Sequence, residues 1–411
     1  MAKEFKDMVF ALDIGTAKVM VVAAEVMPGG ELRVAGLGVA PTHGLKRGVV
    51  VNIDATVQSI QQALKEAEMM AACKITSVYT GITGSHIRGQ NSTGMVIVRD
   101  NREVTPVDVS RVVETAKAIN IPNDQRVLLI EPQEFIIDGH EVKEPIGMNG
   151  SRLEVKVHIV TGAQSAAENI LKCVRRCGLE VERLVLNPSA SSAAVLTEDE
   201  RSLGVVMVDI GAGTTDVQIF TDGSVRHTAV IPIAGDLITS DIAMALRTPT
   251  KDAETIKVEH GVAKQLMVTD PGDQVEVPGL GDRAPRMLSR QALAGVIEPR
   301  VEEIYSLVAQ VIRESGFEEV LSSGIVLTGG SVVMPGMVEL GEDIFLKPVR
   351  RGVPKYRGAL SDMVSQPRAA TVMGLLEEAR IGRARGFKVA QKNGSMKTAV
   401  GRVKDWFVGN F

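Results

Sequence analysis

The sequence predicts an α/β protein with two related lobes, chiefly because one strand-turn-strand pattern occurs in each half of the chain. Near the N-terminus an apolar run leads into DIGTAK (residues 13–18) and then into a second apolar run. In the second half, an apolar run leads into DIGAGTTD (residues 209–216) and again into apolar residues. A further apolar strand ends in the paired glycines of LTGGS (residues 327–331). The repetition indicates two lobes that face each other.

The length and composition are those of a folded protein with more than one domain. The chain has 411 residues, and at about 150 residues per domain this length predicts two to four domains. Hydrophobic residues make up 45% and charged residues 23%, which is typical of a protein with a buried core. Aromatic residues make up only 3% and the net charge is −4, so no nucleic-acid partner is expected.

The cysteines favour a reducing compartment. Cys73, Cys173 and Cys177 are too few for a disulfide framework. Cys173 and Cys177 lie one helical turn apart, as in a metal or redox pair, but no further ligand follows at a suitable spacing, and reduced core thiols are the better interpretation. The N-terminal segment reaches Asp13 before a long apolar region develops, and no run approaches the roughly 18 apolar residues of a membrane span.

The residue types in the repeated motifs suit phosphate and magnesium. Asp13 and Asp209, each at a strand end, supply carboxylates that can hold the waters of Mg²⁺. The small residues of the turns let backbone N–H groups approach phosphate oxygens, and Lys18 adds a positive charge. There is no GxxxxGK[ST] sequence and no GxGxxG after a strand, so P-loop and dinucleotide-binding interpretations have little support. The alternative is a pair of ordinary hairpins with glycine turns.

The C-terminal region combines a basic linker with an amphipathic helix. From Arg380 onward there are eight basic residues and one acid, a net charge of +7, which leaves −11 on residues 1–379. Residues 383–396 are typical of a flexible linker, and residues 397–411 of an interfacial membrane anchor on an anionic surface. A terminal helix docked on its own domain is the alternative. The apolar face comprises Val400, Val403, Trp406, Phe407 and Phe411, with Lys397, Arg402 and Lys404 outside it.

The three motifs together resemble those of the actin/Hsp70/sugar-kinase ATPase superfamily. The phrases VIPIAGDLITSDIA, AETIKVEHG, VIEPRVEEI and GIVLTGGS resemble, within it, the FtsA family of bacterial cell-division proteins. With the C-terminal helix, the resemblance covers essentially the whole chain. It implies an actin-like fold of two RNase-H-like lobes around a nucleotide cleft, with a small subdomain inserted in each lobe.

The resemblance also implies a division of the chain. The expected segments are a first-lobe core of 1–83, 163–203 and 361–382, an inserted subdomain of 84–162, a second-lobe core of 204–227 and 307–360, and a second inserted subdomain of 228–306.

ATP and Mg²⁺ are the cofactors that the resemblance implies. Asp13 and Asp209 would organise the Mg²⁺ waters, and Glu254 and Lys257 would touch ribose and adenine. By spacing alone, an exposed Glu-x-x-Lys pair on a helix is usually solvated. The remaining nucleotide-binding residues would be Gly15, Thr16, Lys18, Gly211, Gly213, Thr214, Thr215, Gly235, Gly329 and Gly330.

Two positions depart from the superfamily pattern. Ala212 stands where the second phosphate motif usually has glycine, and it still permits a close approach. Asn187 precedes Pro188 where actively hydrolysing relatives carry glutamate. Without a carboxylate to orient the attacking water, we expect at most slow hydrolysis and assign no catalytic residue. The nucleotide would then act mainly as a ligand that selects a polymerising conformation.

The first inserted subdomain is also visible in the residues themselves. Its pattern predicts strands at 95–98, 127–130 and 153–160, and a helix capped by Thr105 with Asp108 three residues later. The resemblance implies that this subdomain contacts neighbouring subunits in filaments or later division proteins.

The second inserted subdomain is expected to bind a peptide. The resemblance implies that it receives the C-terminal tail of the tubulin-like division protein FtsZ, with Arg286, Arg300 and Glu303 in the groove, beside a helix expected at 290–311. From the residues alone, a solvated charged face is the simpler interpretation. The implied role is a scaffold that tethers the FtsZ ring to the cytoplasmic face of the inner membrane. A pilus-type membrane ATPase scaffold and a soluble kinase of the superfamily are the alternatives.

Overall fold

The first lobe is built on a five-stranded mixed sheet. The computed structural model describes residues 7–98, 103–281 and 283–384. In the sheet, β1 (Met8–Ile14), β2 (Lys18–Val26) and β3 (Leu32–Pro41) form an antiparallel meander, and β6 (Ser77–Ile82) and β11 (Glu180–Leu186) extend it in parallel beyond β1. The elements up to the insertion are β1 (Met8–Ile14), β2 (Lys18–Val26), β3 (Leu32–Pro41), β4 (Leu45–Lys46), β5 (Val49–Val50), α1 (Ile53–Ala71) and β6 (Ser77–Ile82).

Close contact between a glycine-bearing strand and a helix packs this lobe. Gly38 of β3 lies so near α1 that a Cβ on it would be 1.8 Å from the carbonyl oxygen of Ala63. Asn52 caps α1 by accepting a hydrogen bond from the Ala55 N–H at 3.1 Å. The buried stripe of α1, which includes Ile60, Ala63 and Ala67, therefore lies directly on the sheet.

The chain then leaves the first lobe to form a four-stranded sheet covered by one helix. Its order is β7-β10-β8-β9, and α2 begins with the expected capping box of Thr105 and Asp108. The strands are longer than expected because their exposed faces carry polar residues, which an apolar run does not reveal. The elements are β7 (Arg88–Ile97), α2 (Pro106–Ala116), β8 (Gln125–Ile137), β9 (His140–Val142) and β10 (Arg152–Ala163).

The chain returns to the first lobe and crosses to a second sheet with the same plan. The second sheet consists, in order, of β14 (Ser224–Ile231), β13 (Thr215–Thr221), β12 (Val205–Ile210), β17 (Ile325–Thr328) and β18 (Val349–Arg351). It repeats three antiparallel strands followed by two parallel ones, which confirms the two related lobes. The returning elements are α3 (Gln164–Arg176), β11 (Glu180–Leu186), α4 (Asn187–Val195) and α5 (Glu198–Leu203).

Helices and short strands complete the second lobe. The second-lobe elements are β12 (Val205–Ile210), β13 (Thr215–Thr221), β14 (Ser224–Ile231), α6 (Gly235–Leu246), α7 (Thr250–His260), β15 (Gln274–Val277), β16 (Arg286–Ser289), α8 (Arg290–Ser315), β17 (Ile325–Thr328), α9 (Met337–Phe345) and β18 (Val349–Arg351). The chain then returns to the first lobe, where α10 (Ser361–Val364) and α11 (Ala370–Ala384) join the core of its sheet. Within the described residues, short 3-10 helices lie at Gln265–Met267, Glu318–Val320, Gly330–Val333 and Pro367–Ala369.

The long helix α8 is the central element of the second lobe. It runs one turn beyond the expected residue 311, because Ile312 is still buried and the left-handed Gly316, with φ of 76°, ends it. Tyr305 at its centre is fully buried and donates its hydroxyl hydrogen to the Met337 carbonyl oxygen at 2.7 Å. This bond joins α8 to α9.

The inserted sheet belongs to the first lobe by sequence but is hydrogen-bonded to the second lobe. The Gln133 side-chain amide donates to the Val225 carbonyl oxygen at 2.7 Å, and the Asn91 amide to the Arg226 carbonyl oxygen at 3.1 Å. Arg226, which is itself buried, also forms an ion pair with Glu134. The subdomain therefore bridges both lobes.

Across the described ranges, no helix is long and apolar enough to cross a membrane.

Candidate functional site

Two turns of matching geometry meet between the lobes. In the first, the Gly15 N–H donates to the Lys18 carbonyl oxygen at 3.0 Å, and in the second the Gly211 N–H donates to the Thr214 carbonyl oxygen at 3.0 Å. The turns touch, because a Cβ on Gly213 would lie 2.5 Å from Thr16 Oγ1. Each turn follows a buried strand that ends in Asp-Ile, so the repeated sequence produces a repeated backbone shape.

Three buried carboxyl groups lie beside these turns. Asp13 and Asp209 occupy matching positions at the ends of β1 and β12, and Asp216 lies opposite Asp209 on β13. Burial, together with the negative charge of Asp209, raises the pKa of Asp13 to about 6 and that of Asp216 to about 8. Burial therefore disfavours the charged forms of these carboxyl groups, and a bound cation would favour them.

Hydroxyl groups of the first lobe orient the carboxyl groups of the second lobe. Asp209 Oδ2 accepts from Ser191 Oγ at 2.6 Å and from Thr371 Oγ1 at 3.3 Å, which ties it to α4 and α11. Asp216 Oδ1 accepts from Thr83 Oγ1 at 2.8 Å. Sequence reasoning missed Asp216, although its place at the end of the DIGAGTTD motif was a usable signal. Thr83 and Ser191 had no signal in the sequence.

Lys18 is the basic group of the first turn. Its Nζ donates to the carbonyl oxygen of Arg368, far along the chain. Burial lowers the pKa of Lys18 to about 8, and the nearby Asp13 opposes that shift. The ammonium group therefore lies among the buried acids and the C-terminal part of the first lobe.

A second cluster lies beyond the second turn. Lys257 Nζ donates to Thr239 Oγ1 at 2.8 Å, to Glu254 Oε2 at 2.6 Å and to the Gly235 carbonyl oxygen at 3.2 Å. Lys257 is buried, while the Glu254 side chain is 48% exposed. The solvated pair expected from spacing alone is therefore wrong, since α6 packs against α7 and encloses the ammonium group.

The paired glycines lie next to this cluster and to Asp209. Gly329 has φ of 94°, and a Cβ on it would lie 2.4 Å from Asp209 Oδ1. Gly330 is different, since a Cβ there would have its nearest neighbour at 3.9 Å. Ser331, which sequence reasoning also missed, donates to the Gly211 carbonyl oxygen at 2.8 Å and joins the glycines to the phosphate-type turn.

These features fit a magnesium nucleotide. The turns present backbone without a Cβ at Gly15, Gly211 and Gly213, and Gly330 leaves open space where a base would lie. The described residues contain no group of three or more His, Cys, Asp or Glu side chains arranged to hold a metal directly. Mg²⁺ commonly keeps several waters when it binds to a protein, and buried carboxyl groups can hold such waters.

Asn187 lies at the start of α4, next to β6. It is buried, and its Oδ1 has no hydrogen-bond partner among the described residues. A Cβ on Gly81 would lie 2.0 Å from that oxygen, so the side chain is tightly enclosed. No carboxylate stands at this position.

The two arginines expected to bind a peptide are already engaged with α6. Arg286 donates to the Leu246 carbonyl oxygen at 2.7 Å. Arg300 holds Asp241 through two hydrogen bonds, from Nε at 2.5 Å and from Nη2 at 3.0 Å, and also pairs with Glu303. Asp241 is a partner that sequence reasoning missed. The expected linker lies outside the described residues from position 385 onward, and so do all the residues of the expected amphipathic helix.

Solved structures show which fold the chain has. The chain is similar to a PilM–PilN type IV pilus biogenesis complex at a TM-score of 0.65 and 17% identity, covering 90% of this chain and 98% of that one. It is similar to MreB5 of Spiroplasma citri bound to ADP at a TM-score of 0.55 and 15% identity, covering 92% and 99%. The fold is that of the actin-like ATPases, as expected from the sequence.

Family models and relatives identify the family. The model "Cell division protein FtsA" matches residues 206–374, and "SHS2 domain inserted in FTSA" matches residues 84–161. Proteins named cell division protein FtsA are 52% identical in Pseudomonas aeruginosa over 98% of both chains, and 42% identical in Escherichia coli K12 over 99% of both. The chain belongs to the FtsA family of cell-division proteins, which confirms the resemblance seen in its motifs.

Proposed function

We propose that this chain is an ATP-binding scaffold of bacterial cell division that assembles into filaments, holds the C-terminal tail of FtsZ and attaches it to the membrane. The observation that carries the proposal is the pair of facing glycine turns with three buried carboxyl groups between the lobes. Membership of the FtsA family supports a role in division.

In this proposal the nucleotide lies between the lobes. Backbone N–H groups of the turns around Gly15 and Gly213 hold the phosphates, and Lys18 adds a charge from the first lobe. Asp13 and Asp209 hold the waters of Mg²⁺, which supplies positive charge to the phosphate chain when bound. Gly329, Gly330, Lys257 and Glu254 enclose the base and ribose. Because Asn187 offers no carboxylate to a water, hydrolysis is slow and the nucleotide acts as a conformational ligand.

The tail and the inserted subdomains make the attachments. Residues 397–411 form the amphipathic helix at the cytoplasmic face of the inner membrane, where the basic linker is attracted to anionic lipid. Several copies in a filament bind the membrane more firmly than one copy does. The first inserted subdomain meets neighbouring subunits or later division proteins, and the surface around Arg300 receives the FtsZ tail.

Co-sedimentation with anionic vesicles tests the membrane part. The full chain is compared with two variants, one that ends at Ser395 and one that carries Trp406→Glu. ATP and Mg²⁺ are present throughout. Asp405→Asn, which leaves the apolar face intact, is the matched control. We expect the full chain and the control to pellet and the other two to stay in the supernatant. If the full chain also stays in solution, the tail is a docked structural element and the tether is rejected.

Binding of the FtsZ tail is tested with the same vesicles and a fluorescent peptide of the FtsZ C-terminal tail. The full chain should carry the peptide into the pellet, and Arg300→Ala should carry much less. Arg313→Ala removes an exposed arginine from the same helix and serves as the control. Equal recovery with all three proteins would reject this surface as the peptide site. A soluble kinase would instead show phosphotransfer to a small molecule and no vesicle binding.

A further inference from the structure

A small basic hairpin from the first lobe lies over the two glycine turns, which are formed by residues 15–18 and 211–214 and are called the phosphate-type turns below. It consists of β4 and β5, joined through Arg47 and Gly48, whose φ angles are 49° and 76°. Two successive left-handed residues form the tight turn that a two-residue hairpin needs. The Gly48 N–H donates to Thr16 Oγ1 at 3.1 Å, which fixes the tip of the hairpin to the first turn.

The hairpin also touches the second turn. A Cβ on Gly213 would lie 2.9 Å from the Cα of Arg47, so the backbone of the hairpin and the backbone of the turn are in direct contact. On its other side the hairpin contacts the segment that carries Thr83, since a Cβ on Gly48 would lie 3.1 Å from the Thr83 carbonyl oxygen. Thr83 is the residue that bonds Asp216. The tip is thus placed where the two lobes and the carboxyl groups meet.

A cavity of about 140 Å³ opens between this hairpin and the start of α6. Both phosphate-type turns contribute to its wall, whereas Gly329, Gly330 and Lys257, on the base side of the site, do not. The charged side chains in the wall are two basic ones, Lys46 and Arg47, and one acidic one, Asp236. Its lining residues are Thr16, Leu45, Lys46, Arg47, Ala212, Gly213, Pro232, Ala234, Asp236 and Leu237.

The two hairpin cations differ from Lys18 in their surroundings. Lys18 is directed to the carbonyl oxygen of Arg368 and lies among the buried acids. Lys46 and Arg47 are exposed and form no ion pair with any residue in the described ranges. An exposed cation at the mouth of a cleft that has no acidic partner is available to pair with a multiply charged anion.

We propose that Lys46 and Arg47 contact the outermost phosphate of a nucleoside triphosphate and so make this site distinguish a triphosphate from a diphosphate. The inference rests on the proposed nucleotide function. The two turns supply neutral N–H donors that both nucleotides use. The hairpin adds positive charge on the side of the cleft away from Gly329, Gly330 and Lys257. The third phosphate adds the negative charge that this hairpin attracts.

Calorimetric titration with Mg²⁺ and either a non-hydrolysable ATP analogue or ADP tests the assignment. The variants are Lys46→Gln and Arg47→Asn, because asparagine tolerates the left-handed backbone at position 47. Lys65→Gln, on the exposed face of α1, is the control. We expect affinity for the triphosphate to fall by about tenfold in the Arg47 variant while affinity for the diphosphate stays within about twofold. Arg47→Lys should restore most of the preference.

The outcomes separate this inference from the proposed function. If the unaltered protein binds neither nucleotide, the proposed nucleotide function fails and the inference fails with it. If the protein binds both and the variants lose both equally, the hairpin has a structural or general electrostatic role and the inference alone is rejected. Unchanged binding in the Lys46 and Arg47 variants, with unchanged thermal midpoints, rejects it as well.

Discussion

Thr83 of the first lobe donates its hydroxyl hydrogen to Asp216 Oδ1 of the second lobe at 2.8 Å, directly across the cleft. The acceptor is buried and has a raised pKa, so the bond stabilises a group that burial disfavours in its charged form. Thr83 follows β6 and precedes the chain segment that enters the inserted subdomain. A single hydrogen bond thus links both lobes at the point where the chain leaves the first one.

Removal of this bond should weaken the folded protein. We expect Thr83→Val, which keeps the shape and removes the donor, to lower the free energy of unfolding by about 1 kcal/mol. Denaturant titration of the nucleotide-free protein measures the change. Thr93→Val, on the exposed face of β7, is the matched control and should be near neutral. If Thr83→Val behaves like the control, the bond between the lobes makes no net contribution.

Alanine substitutions at Gly329 and Gly330 should have different effects on stability, because only Gly329 has a left-handed backbone and a close neighbour. Gly329→Ala places a side chain at φ of 94° and 2.4 Å from Asp209 Oδ1, so we expect strong destabilisation and loss of nucleotide binding. Gly330→Ala meets nothing closer than 3.9 Å and should fold normally. Thermal denaturation and binding of a fluorescent ATP analogue give the two readouts. Equal thermal midpoints for the two variants would contradict this assignment of strain.

Gly374 should be indispensable where α11 crosses α4. A Cβ on Gly374 would lie 1.7 Å from the carbonyl oxygen of Ala190, a distance that only separation of the helices can relieve. These helices carry Thr371 and Ser191, which both bond Asp209, so the separation should also disturb the site. We expect Gly374→Ala to cost about 2 kcal/mol or more in unfolding free energy. Gly29→Ala, with nothing within 4 Å, is the control and should be silent in the same denaturation experiment.

His158 should make stability depend on pH. Its ring nitrogens bond Asn91 Oδ1 at 2.7 Å and Thr228 Oγ1 at 3.0 Å, and burial lowers its pKa to about 3. A pKa depressed below the ordinary value of 6.5 means that the unfolded chain binds the proton first, so stability falls as the pH drops below about 6.5.

The test compares His158→Gln with the unaltered protein at pH 7 and pH 5. Because glutamine does not titrate, the advantage of the unaltered protein should shrink by about 1–2 kcal/mol between the two pH values. The matched control variant is His43→Gln, at an exposed position. A constant difference between His158→Gln and the unaltered protein would show that His158 is not held neutral.

Local sequence patterns predicted the parts of the site that depend on short segments of chain. The two turns, the acids at positions 13 and 209, and the capping box at Thr105 each depend on neighbours a few residues away, and the structure places them in matching strands and turns. The two-lobed plan was visible because the motif is repeated. The same reasoning located α8 but not its last turn, which is held by tertiary burial.

Long-range contacts set the parts that the sequence did not predict. Thr83, Ser191 and Thr371 reach the acids from elements far apart in the chain, and their residue types are common on any surface. The burial of Lys257 depends on how α6 packs against α7, which a helix spacing rule does not contain. Asp241 was missed as the partner of Arg300 for the same reason.

The inserted subdomain is connected through the chain to the first lobe and is hydrogen-bonded to the second lobe. The chain leaves the first lobe after Thr83 and returns before α3. Gln133 and Asn91 form hydrogen bonds with β14 of the second lobe, and Glu134 forms an ion pair with it. A rotation between the lobes must therefore strain either the two chain segments that join the subdomain to the first lobe or its contacts with β14. A ligand that prefers one lobe angle and a partner that prefers one position of the inserted sheet are therefore energetically linked, and each changes the affinity for the other by the same factor.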